Sequence, residues 1–378
     1  MATGSGTNVY SRLGVRPIIN AQGNRTVLGG SATTPAVAAA MEEANHTYVE
    51  MRELLEKSGE FIAEMLGVEA AYVTSGCAAA LALSAAACMT GRDPDKIAQL
   101  PDTTGMRNEV LLQKPQQYSY DRSYTVPGAK LVRVGNDDGC TAEQLEGAIG
   151  PNTAALAYLI RAGEDDSVVP LEQVVEMAHS RDLPVIADAA ARIYPLEYFR
   201  RNAQSADLVC FGAKYMGAPQ SAGYVCGKKE LVDAVVDHGF IGFQTGGGRA
   251  FGRPMKLDKQ EIIGVVTAIE QWFTMNHEDR LIGYEETLAT VQRELAGTPG
   301  VEAKLEQVDQ YFGVTLNVTF DAASLGKTAQ DIAADLDAGT PRIAVSAPDD
   351  NTIAVNAHAL KKGEELIVAE HLRMALSG

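Results

Sequence analysis

Between residues 70 and 227 the chain alternates short continuous apolar runs with segments of helical period, and this alternation restricts the fold more than any other feature. The runs are AAYVTS (70–75), VLLQK (110–114), KLVRVG (130–135), AALAYLI (154–160), PVIAD (184–188), DLVCF (207–211) and AGYVCG (222–227). Half-exposed strands would alternate polar and apolar residues, and most of these runs do not, so they read as strands buried on both faces. Between them lie GCAAALALSAAACMTG (76–91), AEQLEGAIG (142–150) and LEQVVEMAHSRD (171–182), and KKELVDAVVDHGF (228–240) follows, all of helical pattern. Strands joined through helices form a mainly parallel sheet covered on both faces. Right-handed crossovers then bring the C-terminal strand ends to one edge, where open α/β sheets bind ligands. Ser75, Asp188 and Lys214 all fall at such ends.

The remaining segments frame this sheet. Residues 1–30 are punctuated by Pro17, Gly23, Gly29 and Gly30 and read as extended, while 35–65 repeats apolar residues at helical spacing. A long helical stretch spans 258 to about 295 and contains Trp272. Beyond Pro299 the order strand, strand, helix, strand, strand, helix describes a small α+β domain. The expected division is an N-terminal segment over 1–45, a large domain over 46–257, a linking helix over 258–297 and a small C-terminal domain over 298–378. A chain of 378 residues, 46% of them hydrophobic, has ample material for such cores.

The net charge of −17, from 49 acidic and 32 basic residues, comes without a basic stripe, which argues against a nucleic-acid partner. The N-terminus has no signal-peptide pattern, and the most apolar stretch, 78–87, is too short to span a membrane. Five cysteines (Cys77, Cys88, Cys140, Cys210, Cys226) show no C-x-x-C spacing and read as reduced thiols of a cytoplasmic protein. The six histidines do not join them at ligand spacing, so no metal site is expected. His238 and His358 read as structural.

The chemistry concentrates at the sheet edge. Asp188 ends an apolar run and precedes three alanines, so something packs closely there. A carboxylate buried in that position needs a cationic partner. Lys214 lies between two apolar runs in a Gly/Ala-rich turn, where desolvation favours its neutral, nucleophilic form. The turn Ser75-Gly76-Cys77 joins a strand to an alanine-rich helix, whose N-terminal amides can receive an anion. A carboxylate for a protonated ring nitrogen, a lysine for an aldehyde and an amide cradle for a phosphate are together what pyridoxal 5′-phosphate (PLP) requires. The glycine-rich segment beginning Thr245-Gly246 is a candidate second grip on the phosphate, offered from a neighbouring subunit. Arg192, which starts from the same edge, and Arg342, before a strand of the small domain, are candidates for a substrate anion.

The chain resembles fold-type-I PLP-dependent enzymes related to bacterial selenocysteine synthase (L-seryl-tRNA selenium transferase), in the branch of D-glucosaminate-6-phosphate ammonia-lyase-like proteins. The resemblance is carried by YSRLGVRPIINAQGNRTVLGGS (10–31), YVTSGCAAALALSAAACMTG (72–91), VIADAAA (185–191), KYMGAPQ (214–220) and GRPMKLDKQEIIG (252–264). It implies the PLP-dependent transferase fold of type I, with a large domain built on a mainly parallel mixed sheet. It also implies a homodimer or a higher oligomer of dimers with active sites at the subunit interface. Lys214 would be the Schiff-base lysine, Asp188 the ring-nitrogen partner, and Ser75, Gly76 and Cys77 the phosphate turn. Asn24 and Arg25, in the first of these segments, join Arg192 and Arg342 as substrate-binding candidates.

Three positions depart from the pattern of these relatives. Phe211 stands where a serine usually precedes the lysine, Gln116 where a ring-stacking or substrate-facing histidine is usual, and Arg192 where glutamine is frequent. All three lie on the substrate and cofactor side, which implies a substrate or reaction different from that of the lyase naming the branch. The ring-stacking residue is one of Gln116, Tyr118 and Tyr120. Selenocysteine synthase itself is disfavoured, because it usually carries an additional N-terminal tRNA-binding domain and this chain is strongly acidic.

The expected activity is α,β-elimination from a hydroxylated amino acid or amino sugar acid to a 2-keto product and ammonia. The alternatives are a racemase, aldolase or aminotransferase on a small amino acid, and an inactive PLP-fold binding protein.

Overall fold

The computed structural model describes residues 9–161, 163, 165–309 and 313–377. Residues 1–8 of the expected N-terminal segment, and Phe312 at the start of an expected strand, lie outside the described residues. The strands in chain order are β1 (Ile18–Asn20), β2 (Ala70–Thr74), β3 (Glu109–Gln113), β4 (Lys130–Val134), β5 (Thr153–Leu159), β6 (Val185–Asp188), β7 (Leu208–Gly212) and β8 (Gly223–Gly227), followed by β9 (Val301–Asp309), β10 (Gly313–Phe320), β11 (Arg342–Ala344), β12 (Ser346–Asp349) and β13 (Thr352–Val355).

Two compact units divide the chain. One comprises residues through Ser31 together with those from Asn276 onward, and the other runs from Ala32 to Met275. The sequence reading divides at 45, 257 and 297 instead. Its extended N-terminal segment contributes β1, which pairs in parallel with β11, so the first unit joins the two ends of the chain.

The unit 32–275 holds a seven-stranded sheet in the order β2-β8-β7-β6-β5-β3-β4. The neighbours from β7 through β4 run parallel, and β8 lies antiparallel between β2 and β7. Strands β6, β7 and β8 are buried at every position, as their apolar sequence requires, Asp188 at the end of β6 being the one charged residue among them. The alanine-rich helix Cys77–Thr90 packs on β7, β8 and the helix Lys229–His238, and it is buried almost all round. A helix apolar on every side has to be enclosed in this way. The helix Met51–Leu66 instead buries one stripe: Leu55, Ser58, Gly59, Ile62, Ala63 and Leu66.

The other unit contains the pair β1-β11 and a four-stranded antiparallel sheet in the order β12-β13-β10-β9. Ile19, Leu288, Leu316, Ile332, Ile343 and Leu372 contribute to its core. The segment RIAVSA is therefore divided between two sheets: β11 turns to β1, and β12 turns to β13. The expected helix over 258–295 is two helices, Lys259–Thr274 and His277–Leu295. Asn276 starts the second by accepting from the amides of Glu278 (3.0 Å) and Asp279 (3.3 Å), a capping geometry incompatible with a continuous helix. Among the described residues, no helix is long and apolar enough to cross a membrane.

Candidate active site

Asp188 is the last residue of β6, in register with Leu159 on one side and Cys210 on the other, and only 4% exposed. The amide of Ala190 donates to Oδ1 at 3.0 Å, a turn that the small residues after the strand permit. The Cys77 thiol reaches the same oxygen at 3.5 Å, and the Tyr118 hydroxyl donates to Oδ2 at 2.5 Å. Burial raises the carboxyl's pKa, while Tyr118, the Ala190 amide, Cys77 and the field of Arg192 oppose it; burial prevails. The hydrogen bonds come from a hydroxyl, a thiol and an amide, all neutral. A protonated ring nitrogen would bring this carboxylate the positive charge that favours its ionised form.

Lys214 lies in the short 3-10 turn Ala213–Met216 that leaves β7, closed by Gly217 at φ 81°. Its Nζ stands 5.1 Å from the centre of the Tyr215 ring. Burial lowers the pKa of this amine, and the neighbouring Cys77 acts in the opposite direction. The Cys77 thiol is itself pushed up by burial and by Asp188, and drawn down by Lys214. The Cys77 thiol thus links the two groups: it bonds the carboxylate at the end of β6 and interacts electrostatically with the amine that follows β7.

The third element is the turn after β2. Thr74 donates its hydroxyl to the carbonyl of Gly76 (3.0 Å), and the Gly76 amide returns to the carbonyl of Thr74 (2.8 Å). Gly76 has φ 92°, a left-handed conformation that disfavours any side chain, and it starts the helix without a side-chain cap. The amides of the first helical turn are thereby presented to an anion. Strand β8 holds the turn in place: a Cβ built on Gly223 would lie 2.6 Å from the Gly76 carbonyl carbon, 2.6 Å from the Phe211 oxygen and 2.7 Å from the Cys77 nitrogen. The donors and acceptors of these three elements fit PLP.

The other sequence candidates have varied surroundings. Gln116 is buried, and its amide bonds both the N–H and the C=O of Leu159 at 3.2 Å, bracing the end of β5. From that segment it is Tyr118 that reaches Asp188, while Tyr120 is 63% exposed with its ring 6.3 Å from that of Tyr118. Phe211 packs between Phe199 and Tyr224, with ring centres 5.2 Å away on each side, and belongs to the core. Arg192 acts electrostatically on both Asp188 and Tyr215. Thr245 donates to the Ile241 carbonyl (2.9 Å) and Gly246 to that of Gly242 (2.7 Å), and both are exposed at the end of the helix Phe240–Thr245.

Asn24, Arg25 and Arg342 belong to the other unit. The Asn24 amide donates to His358 Nε2 at 3.1 Å, Arg25 is exposed, and Arg342 forms an ion pair with Asp337, closest at 2.7 Å. His238, expected to be structural, is buried beside the Thr90 hydroxyl at 2.7 Å, and burial lowers its pKa to about 4.

An open cavity of about 870 Å³ adjoins Tyr118 and contains Lys114, Arg133 and Arg161. These three cations pair with Asp137, Asp121 and Asp165 (3.3, 2.8 and 3.5 Å), while Arg122 also lines the cavity. The reactive groups lie instead at Asp188 and Lys214. Among the described residues, no group of three or more His, Cys, Asp or Glu side chains is arranged to hold a metal ion. The direct bonds from Tyr118 and Cys77 to Asp188 had no separate signal in the sequence, beyond the tyrosines that follow β3 and the cysteine in the phosphate turn.

Comparison with known proteins agrees with this geometry. Residues 32–249 match the aminotransferase class-V family. The chain belongs to that family and is a PLP-dependent enzyme. It is 33% identical to a 5′-C-glycyluridine monooxygenase-decarboxylase of Streptomyces sp, over 90% of this chain and 84% of the relative. It is 31% identical to the D-glucosaminate-6-phosphate ammonia lyase of Salmonella typhimurium, over 97% of each. A solved structure of D-glucosaminate-6-phosphate ammonia-lyase aligns with a TM-score of 0.86 and 28% identity, covering 100% of this chain and 99% of that one.

Proposed function

We propose that this enzyme is a PLP-dependent lyase acting on a hydroxylated amino acid or amino sugar acid. The observation that carries the reading is the buried Asp188 carboxylate, bonded by the Cys77 thiol that Lys214 also acts on, in a chain 31% identical to an amino sugar acid ammonia lyase along nearly its whole length. When bound, PLP supplies an electron sink for negative charge at the substrate's α-carbon. Asp188, as a carboxylate, would accept a hydrogen bond from the protonated ring nitrogen and keep the proton there. The amides of Gly76 and Cys77 and the Ser75 hydroxyl bind the phosphate. Lys214, its amine made less basic by burial, is the residue that would hold the cofactor's aldehyde and would take the α-proton at Nζ. Arg192 orients the acidic end of the substrate. The β-hydroxyl leaves as water, the same equivalent of water is taken up in hydrolysis, and the products are a 2-keto acid and ammonia.

The exposed turn at Thr245 and Gly246 serves the site of a second copy in a homodimer or an oligomer of dimers. The protein is cytoplasmic, in keeping with five free cysteines. A second reading, oxidative decarboxylation, is favoured by the 33% identity to the monooxygenase-decarboxylase.

The test begins with the visible spectrum of the purified protein plus PLP, before and after borohydride, and the mass of the peptide containing Lys214. A panel of hydroxylated amino acids and amino sugar acids follows, with keto acid, ammonia, carbon dioxide and oxygen uptake measured. Keto acid and ammonia in equal amounts, without oxygen uptake, support the lyase. Oxygen-dependent release of carbon dioxide replaces it with the second reading. Lys214→Ala is expected to abolish both turnover and covalent cofactor attachment; turnover at a normal rate would overturn the assignment.

A further inference from the structure

We infer that Tyr118 is a positioning residue for Asp188, holding its carboxylate ionised and aimed so that the ring nitrogen of bound PLP stays protonated. This rests on the proposal that Asp188 is the ring-nitrogen partner.

The direct hydrogen-bond donors to Asp188 carry no positive charge. The titratable and charged groups that act on it are Tyr118 and Tyr124 from the segment after β3, Cys77 from the phosphate turn, Cys210 from β7, Tyr215 beside Lys214, and Arg192. Burial pushes every tyrosine and cysteine in this set above its ordinary pKa, so each faces Asp188 as a neutral group. A neutral donor into a carboxylate favours the ionised form, and the short charge-assisted bond does so most strongly. The three donors to Asp188 are unequal. Ala190 offers a backbone amide, which no side chain alters, and the Cys77 thiol is a weak donor at 3.5 Å. Both address Oδ1. The Tyr118 hydroxyl addresses Oδ2 at 2.5 Å.

Tyr118 is also placed to keep donating. Burial, with Tyr124 and Asp188 adding to it, raises the pKa of its phenol far above the ordinary tyrosine range, so it keeps its proton at any working pH. Behind it lies the fully buried Tyr124. A carboxylate has about four lone-pair sites, and three donors leave room for one ring N–H. Without the Tyr118 bond, burial would move the shared proton from the ring nitrogen toward Asp188, and the electron sink would weaken.

The experiment uses the holoenzyme reconstituted with PLP carrying ¹⁵N in the ring and reads the ring-nitrogen resonance together with PLP affinity. Wild type is expected near the protonated position but short of its limit, because the proton is shared with Asp188. Tyr118→Phe should move the resonance toward the unprotonated position and weaken PLP binding roughly 10-fold to 100-fold, the range for losing a hydrogen bond to a charged group. A resonance and affinity unchanged from wild type would overturn the inference. Asp188→Asn separates the two layers. If it leaves the resonance unchanged, the ring-nitrogen role of Asp188 fails; if it moves the resonance and Tyr118→Phe does not, only the role of Tyr118 fails. Should Tyr118→Phe not fold, site-specific 3-fluorotyrosine at 118 preserves ring and hydroxyl while strengthening the donor. It should shift the resonance further toward the protonated limit, and no shift would equally refute the inference.

Discussion

Replacing Gly223 by alanine adds one methyl group at the place where β8 presses on the phosphate turn. The new Cβ would stand 2.6 Å from the Gly76 carbonyl carbon, 2.6 Å from the Phe211 oxygen and 2.7 Å from the Cys77 nitrogen. All three are backbone atoms in two different segments, so no side chain can rotate away. Ordinary contact begins at 3.4 Å, so the turn has to retreat by about 0.8 Å. Overpacking of a filled interior costs about 1–3 kcal/mol, and the upper end applies because Gly223 pairs with Thr74 on one side and Gly212 on the other and cannot slide. The same displacement carries the first helical amides away from their anion. Gly223→Ala is therefore expected to lower the urea midpoint of the apoprotein by the equivalent of about 2–3 kcal/mol. It should also weaken PLP binding at least tenfold, measured by titration of the cofactor's visible absorbance. Unchanged stability and affinity would refute the close packing of β8 on the turn. Lost stability with unchanged affinity would refute the turn as the phosphate cradle.

Two further substitutions separate support of the fold from chemistry. Asp207, 2% exposed at the start of β7, accepts from the Val185 amide (2.7 Å), Lys228 (2.6 Å) and His179 (3.0 Å). Burial raises its pKa, but Lys228, the Val185 amide and His179 outweigh that and hold it below the ordinary value. Asp207→Asn should cost about 2–4 kcal/mol at pH 7, less than a fully enclosed pair because Lys228 and His179 are about half exposed, with PLP binding unaltered. A depressed carboxyl stabilises above its unfolded pKa of about 3.9 and loses that contribution as pH falls through the folded value. The gap between wild type and variant in denaturation should therefore be full above about pH 5, narrow progressively below about pH 4, and close only beneath the depressed folded value. Gln116→Leu leaves the Leu159 N–H and C=O without partners and should destabilise by about 2–4 kcal/mol while the absorption maximum of bound PLP stays in place; a stable variant with a shifted maximum would instead make Gln116 a cofactor contact.

The α/β alternation, the buried parallel strands and the edge carrying Ser75, Asp188 and Lys214 were legible in the sequence because each follows from local pattern. A strand buried on both faces has to be apolar throughout, and a crossover fixes which end of it faces the ligand. Asp188 and Lys214 stood out because charged residues ending apolar runs require a partner. Contacts between residues far apart in sequence had no such periodic signature. Tertiary structure alone brought Tyr118 onto Asp188 and set Gln116 against Leu159. It also put Phe211 in the core between Phe199 and Tyr224, and paired β1 with β11 across more than 300 residues. A tyrosine in a loop, a glutamine after a strand and an Ile-Ile-Asn tripeptide near the start of the chain look alike whether they meet solvent, backbone or a carboxylate. Which of these they meet depends on how the strands are ordered in the sheet, and that order is decided by packing the whole chain rather than by any segment of it.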